Sequence, residues 1–333
     1  MKVTVIGAGV AGLTCALALA ERGADVTVME RGAKLGVDSC SWLAGGMLAP
    51  WCELESAEEL VAELGEEALD YWMQRFPATV QNGSLVVAQA RDLPDLTRFS
   101  KRTRDFEWRD ADGIAALEPD LAGRFGKAMF FPGEAHLDPR AALAALTERL
   151  LELGVTIRFG VDEAPEASII VDARGFAARD ELTDLRGVKG EMVVVRCPEV
   201  KFTRPVRMLH PRHPLYIVPR GGGVYMIGAT MVESNERGRV TARAMLELLG
   251  GAYALHPAFA EAEILEMGAD VRPAFPDNLP RLRWRGRRLH VNGLFRHGFL
   301  LAPALARRAA SAILDQAYFP EVMDEDHSEQ RTA

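Results

Sequence analysis

Residues 3–12 read Val3-Thr4-Val5-Ile6-Gly7-Ala8-Gly9-Val10-Ala11-Gly12, and this stretch decides the fold. Val3, Val5 and Ile6 form a short β-rich run, and Gly7, Gly9 and Gly12 follow in Gly-X-Gly-X-X-Gly spacing. From Ala11 to Arg22 the chain is rich in Ala and Leu and free of proline, which favours a helix. Gly23 stands where a helix-ending glycine belongs. Val26, Val28 and Met29 then make a second strand, ending at Glu30. Strand, glycine turn, helix and strand are the context that a dinucleotide-binding motif needs. Gly7 permits the tight turn, Gly9 lets the backbone approach a pyrophosphate, and Gly12 lets the helix lie close to the sheet. Val10 and Ala11 open a helix whose N–H groups and positive dipole end face the anion. Glu30 is placed to accept hydrogen bonds from ribose hydroxyls. A carboxylate there repels a 2′-phosphate, which argues against NADP.

Further along, a helix is expected from about Ala57 to Arg75, with Glu58, Glu59, Glu63, Glu66 and Glu67 forming a solvated face. Another is expected from Pro139 to Leu153, with Asp138 as N-cap and Gly154 as terminator. Val155–Phe159 and Ile169–Val171 read as short strands. The middle differs: Glu191–Arg196, Leu215–Val218 and Val224–Ile227 are β-rich, and Arg220-Gly221-Gly222-Gly223 links the last two as a hairpin. Hairpins do not continue a parallel βαβ series, so this region is read as a second domain. The end returns to α/β character, with a strand at Leu289–Asn292, a loop at Gly293–Ala302 and a helix at Pro303–Gln316. The fold class is therefore α/β, a Rossmann-like dinucleotide domain with an inserted domain built on a mixed or antiparallel β-sheet. Residues 1–80, 136–180 and 275–318 are assigned to the first domain, and 81–135 and 181–274 to the inserted one. The polar tail, 319–333, is expected to be disordered.

Composition narrows the partners. The chain has 333 residues, enough for two domains, and a formal net charge of −8. An acidic balance argues against nucleic acid, whose phosphates require a basic face. No apolar run reaches the ~18 residues of a membrane span. The chain shows no signal-peptide pattern, and a cytoplasmic, reducing location is expected. Four cysteines in 333 residues, Cys15, Cys40, Cys52 and Cys197, are too few for a disulfide framework, and their lack of CxxC spacing argues against structural zinc. His210-Pro211-Arg212-His213 lacks helical context and carboxylate company, so no metal is expected.

Several segments together carry a resemblance to the FAD-dependent D-amino-acid oxidase family, and within it to the glycine oxidases of thiamine biosynthesis. They are the fingerprint through Glu30, then Ser39-Cys40-Ser41-Trp42-Leu43-Ala44-Gly45-Gly46-Met47-Leu48, Asp172-Ala173-Arg174-Gly175 and Arg186-Gly187-Val188-Lys189-Gly190-Glu191. Tyr216-Ile217-Val218-Pro219-Arg220, Ile227-Gly228-Ala229-Thr230-Met231, Val271-Arg272-Pro273 and Phe295-Arg296-His297-Gly298 follow, with Leu300-Leu301-Ala302-Pro303. The resemblance implies FAD, contacted by the fingerprint residues and by Arg31, Ser39, Gly46, Met47, Ala173, Gly175, Gly298, Phe299 and Leu300. It implies that Arg272 binds a substrate carboxylate, that Tyr216 and Met231 line the substrate site, and that Arg296 lies near flavin and substrate. Some related amine oxidases hold FAD through a cysteine in the C-terminal half. This chain has none after Cys197, so non-covalent FAD is expected.

The implied reaction is hydride transfer from the Cα of glycine or another small amino acid or amine to flavin N5. The imine would feed thiazole formation, and oxygen would yield hydrogen peroxide. A planar, permanently charged arginine suits the carboxylate, and hydride transfer itself demands positioning rather than a protein nucleophile. Two alternatives stay open: a dehydrogenase passing electrons to a carrier or quinone, and a flavin-bearing assembly protein without turnover. The resemblance further implies a homo-oligomer.

Overall fold

In a computed structural model, residues 1–161, 169–210 and 214–324 are described. Pro211, Arg212 and His213 of the histidine-bearing segment lie outside them, as do most of the short stretch 160–167 and residues 325–333 of the tail.

The chain divides into two compact units. The first comprises Met1–Ala44, Pro139–Val188 and Val271–Ala333. Its six-stranded sheet has the order Arg281–Arg285, Arg288–Asn292, Ile169–Asp172, Lys2–Ile6, Asp25–Glu30, Thr156–Phe159. All neighbours pair in parallel except the Arg281–Arg285/Arg288–Asn292 hairpin. The order in which strands are added reverses between Lys2–Ile6 and Ile169–Asp172, the switch point at which doubly wound sheets take their ligands.

The helix Val10–Ala20 is apolar nearly all round because it is buried between the sheet and two other helices, Pro139–Glu152 and Gly298–Leu314. It runs parallel to Gly298–Leu314. Near the start, Thr14 Oγ1 lies 3.4 Å from Ala302 O; at the far end, Arg22 Nη2 donates to both carboxylate oxygens of Asp315 at 2.8 Å.

Gly298–Leu314 corrects the expectation of a loop to Ala302 and a helix from Pro303. The helix starts five residues earlier, and Pro303 lies inside it. Proline lacks only the N–H that would reach back to residue 299, so its loss falls in the second turn, where the helix is held by burial of Phe299 to Leu305.

The second unit comprises Gly45–Asp138 and Lys189–Asp270. Its sheet runs Val232–Glu233, Arg186–Arg196, Val224–Gly228, Leu215–Pro219, Val206–Leu209, Ser84–Ala88, Lys127–Phe131, Glu107–Asp110, with Glu263–Ala274 also pairing on Arg186–Arg196. It is a mixed sheet: Val206–Leu209 and Ser84–Ala88 pair in parallel amid antiparallel neighbours. The hairpin at Arg220–Gly223 forms as expected, and Gly221, Gly222 and Gly223 all take positive φ (81°, 60° and 73°), which only glycine adopts freely.

The unit boundaries differ from the sequence reading: residues 181–188 and 271–274, read there as part of the inserted domain and including Arg272, belong to the first unit, and residues 136–138 belong to the second. Residues 45–80, assigned there to the dinucleotide domain, belong to the second unit. The strand Met47–Leu48 pairs with Ala135–His136, and helix Glu59–Arg75 packs on Pro50–Glu53. That helix exposes Glu58, Glu59, Glu63 and Glu66 and buries Val61, Leu64, Leu69 and Trp72. Residues 319–324, expected to begin a disordered tail, are instead docked. Leu282 N–H donates to Val322 O (2.8 Å), Val322 is buried, and Asp324 accepts from Arg283 (2.6 Å) and Arg281 (3.1 Å).

Candidate active site

The nucleotide end is built in the first unit. Gly7 turns at φ 103°, and a side chain on it would strike Ala173 O at 2.5 Å, so the turn lies directly against the next strand's end. A Cβ on Gly12 would sit 1.8 Å from Gly7 O; the helix therefore crosses the turn with no space between them. Gly9 is the helix N-cap and offers no side-chain cap, and the first turn carries no acidic residue. Val10 N–H donates to Ser41 Oγ (3.2 Å), and a Cβ on Gly9 would meet Ser39 Oγ at 3.0 Å. Ser39 caps the short turn Cys40–Leu43 by accepting from Ser41 N–H. Ala11 continues the first helical turn.

Glu30 has a role the sequence did not disclose. Its two carboxylate oxygens accept from Ala8 N–H (2.7 Å) and Gly32 N–H (2.8 Å), so it braces the glycine turn. A carboxylate has about four acceptor positions, which leaves two for ribose hydroxyls. Arg31 is exposed beside it.

A second helix N-terminus stands next to the first. A Cβ on Gly298 would touch Val10 Cγ1 at 3.4 Å. Its N-cap, His297, is buried, stacks edge-on to Phe295 (5.7 Å) and gives no side-chain cap. Phe299 and Leu300 are buried, so their backbone rather than their side chains is available to a ligand. Two parallel helices thus present their positive ends side by side, an arrangement suited to an anionic cofactor.

Ala173 is anchored by its N–H to Ile6 O (2.9 Å), and Gly175, at φ 60°, accepts through its carbonyl from Asn292 Nδ2 (2.9 Å). Between them Arg174 and Arg288 both bond the buried Asp172 carboxylate (2.9 and 2.8 Å). Asp172, Glu181 and His290 approach within metal-ligating range of one another, but these two guanidiniums already supply the positive charge a cation would bring. The cluster is an ion-pair network that fixes the strand end.

Arg272 and Arg296 belong to this same unit. Both are half-buried. Phe295 N–H donates to Pro273 O (2.9 Å), which ties the loop carrying Arg296 to the strand carrying Arg272. Arg296 lies over the Phe295 ring at 5.8 Å.

Gly46, Met47, Tyr216 and Met231 are carried by the second unit. Tyr216 pairs across the sheet with Gly228. Its ring occupies the space a side chain would need at Gly228 (2.8 Å) and at Gly45 (2.9 Å), so both glycines serve as a floor for the phenol. Met47 pairs with His136, and Gly46 O accepts from Leu137 N–H (2.9 Å). Met231 is 54% exposed. The residue before it, Thr230, is pinned by Glu191: its N–H reaches Glu191 O (3.2 Å) and its hydroxyl the carboxylate (2.9 Å). Burial pushes the Glu191 carboxyl up, but hydrogen bonds from Thr241 and Thr230 and the charge of Lys189, 3.6 Å away, outweigh it and hold the group below its ordinary value. In the sequence Lys189 and Glu191 stand out only as members of the Arg186-Gly187-Val188-Lys189-Gly190-Glu191 motif. The signal for their pairing was two charged residues two apart on one face of a β-run.

A doubly wound parallel sheet with this fingerprint defines a dinucleotide-binding α/β protein. Residues 2–312 match the family described as FAD dependent oxidoreductase (DAO), and the chain belongs to it. Its cofactor is FAD, and the cradle described above fits that group. The chain is 54% identical over 324 residues to a Rhizobium etli protein named as the thiamine biosynthesis oxidoreductase ThiO, covering 96% of this chain and 99% of that one. It is 25% identical to a glycine oxidase of Bacillus licheniformis, covering 99% and 97%. The glycine oxidase structure from Geobacillus kaustophilus shares the fold at a TM-score of 0.80 and 24% identity, with 96% of each chain covered. Among the described residues no helix is long and apolar enough to cross a membrane.

Proposed function

We propose that the protein is a FAD-dependent oxidase of glycine and other small amino acids or amines, serving thiazole formation in thiamine biosynthesis. The observation that carries this reading is the 54% identity to the ThiO-named protein along nearly the whole of both chains. The chemistry that bound FAD supplies is acceptance of a hydride from the substrate Cα, with an imine as product and hydrogen peroxide after reoxidation by oxygen. The first unit is read as the cofactor domain and the second as the substrate domain.

Arg272 takes the substrate carboxylate, because a planar guanidinium offers two parallel donors to two oxygens. Arg296 adds positive charge close by. Tyr216 donates from a phenol that its glycine floor keeps in one place, and Met231 supplies an adaptable apolar wall. Gly46 and Met47 would hold the flavin ring, without a covalent bond. The fingerprint glycines, the two helix N-termini, Glu30 and Ser39 hold its nucleotide end. The remaining work is positional: the Cα–H must be held against the flavin with water excluded. A cytoplasmic homo-oligomer is the expected form.

Adding glycine, sarcosine or D-alanine without oxygen should bleach the visible flavin band, and admitting air should restore it with peroxide. No bleaching by any of the three would sink the reading. Bleaching followed by slow recovery without peroxide would point to a dehydrogenase with another electron acceptor.

A further inference from the structure

We propose that Arg220 is a positioning residue of the amino-acid site, holding the Gly45–Gly46 backbone and the Tyr216 ring in register with each other. This rests on the functional reading above, which places Tyr216 at the substrate and Gly46 and Met47 at the flavin.

Arg220 directly follows the strand Leu215–Pro219 that carries Tyr216. Its guanidinium spans two backbone carbonyls far apart in sequence. Nη2 donates to Gly45 O at 2.8 Å and Nη1 to Leu137 O at 3.2 Å. Leu137 N–H in turn donates to Gly46 O at 2.9 Å, so three links close a ring around the segment. The Asp138 carboxylate stands 3.9 Å from Nε. The side chain is only 11% exposed, so this fork works out of water, where its hydrogen bonds are strong.

The clamped carbonyl belongs to the residue on which the tyrosine ring rests. A Cβ at Gly45 would lie 2.9 Å from the ring, and one at Gly228 2.8 Å from its hydroxyl end. If Gly45 drifts, the ring loses one of its two supports. The charge also reaches His136, across the ladder from Met47. Burial, followed by Arg220 and Arg204, holds that imidazole down to about 4, which keeps it neutral beside Met47. Lysine cannot replace the fork, since one ammonium does not span two carbonyls in a fixed plane.

The test compares Arg220→Ala, Arg220→Lys and Arg124→Ala as FAD-loaded enzymes. Arg124 makes a similar clamp on two backbone carbonyls of the same unit, Leu255 O (2.7 Å) and Ala254 O (3.3 Å). The expected result is a KM for glycine raised about tenfold or more in Arg220→Ala, a smaller rise in Arg220→Lys, and a change under about twofold in Arg124→Ala. A KM and kcat within about twofold of wild type in both Arg220 variants would overturn the proposal. So would an equal KM rise in Arg124→Ala, which would mark a general loss of packing. If Arg220→Ala does not fold, Arg220→Lys decides by the same comparison.

If wild type oxidises no amine, the functional reading fails separately, and the clamp is judged by near-ultraviolet circular dichroism. A difference between Arg220→Lys and wild type that vanishes in a Tyr216→Phe background upholds it. One that persists overturns it.

Discussion

Glu134→Gln should change how stability depends on pH, with a sign set by burial. Glu134 is fully enclosed in the second unit. One oxygen accepts from Cys52 N–H at 2.7 Å and the other is bonded to the Ser84 hydroxyl. Burial pushes its carboxyl from the ordinary 4.5 up to about 7, despite the hydrogen bonds that favour ionisation. Between those values the folded protein keeps a proton that the unfolded chain has lost. Stability from this group is therefore full below about 4.5 and falls as pH rises to about 7. Each pH unit inside that window is worth about 1.4 kcal/mol.

His136 acts with the opposite sign, because its folded value of about 4 lies below the ordinary 6.5. It adds stability as pH rises through that interval, so the two groups nearly cancel over the shared range. Glutamine keeps the shape and both hydrogen bonds of the protonated acid but cannot ionise. Urea unfolding of the FAD-loaded enzyme would measure the stability of variant and wild type at about pH 5, 6 and 7. The difference, variant minus wild type, should grow by roughly 2–3 kcal/mol from about pH 5 to about pH 7. All other groups drop out of that difference. A difference constant to within about 0.5 kcal/mol would refute the claim that Glu134 stays protonated.

Three further outcomes are expected. Arg272→Ala should raise KM for glycine by two to three decades, since stranding one partner of a buried ion pair costs about 3–5 kcal/mol; an unchanged KM would refute its carboxylate role. Gly12→Ala should purify with little flavin, because the added methyl would sit 1.8 Å from Gly7 O, and a normal ratio of visible to ultraviolet absorbance would contradict this. Asp324→Ala should loosen residues 319–324, with an effect of about 1 kcal/mol that salt weakens, because the carboxylate is partly exposed between Arg281 and Arg283; hydrogen exchange at Val322 unchanged from wild type would argue against it.

How much was legible follows the range of the forces involved. The strand, turn, helix and strand of residues 2–30 appear where expected because each rests on neighbours a few positions apart: alternating β-branched residues, glycine at a tight turn, an unbroken Ala/Leu run. The hairpin at Arg220–Gly223 was legible for the same reason. The helix at Gly298 starts five residues before Pro303, because proline signals a helix start locally while the actual start is set by burial of Phe299 to Leu305. Residues 45–80 belong to the second unit although no change of composition marks position 45. What assigns them is a pairing of Met47–Leu48 with Ala135–His136, almost ninety residues away. Resemblance named Arg272, Arg296, Tyr216 and Met231, but it did not show the glycine floor under Tyr216 or the clamp of Arg220.

By itself, then, the sequence determined the dinucleotide fingerprint, the parallel βαβ entry, the inserted sheet and the membership of a flavin family, all carried by local pattern or by ordered motifs. Only the tertiary structure decided that Glu30 braces the glycine turn, that two helices begin side by side, that Glu134 and His136 are shifted in opposite directions, and that Arg220 joins Gly45 to Leu137. Those features depend on which distant residues are brought into contact and how far water is excluded between them. Neither quantity is carried by any short stretch of the chain.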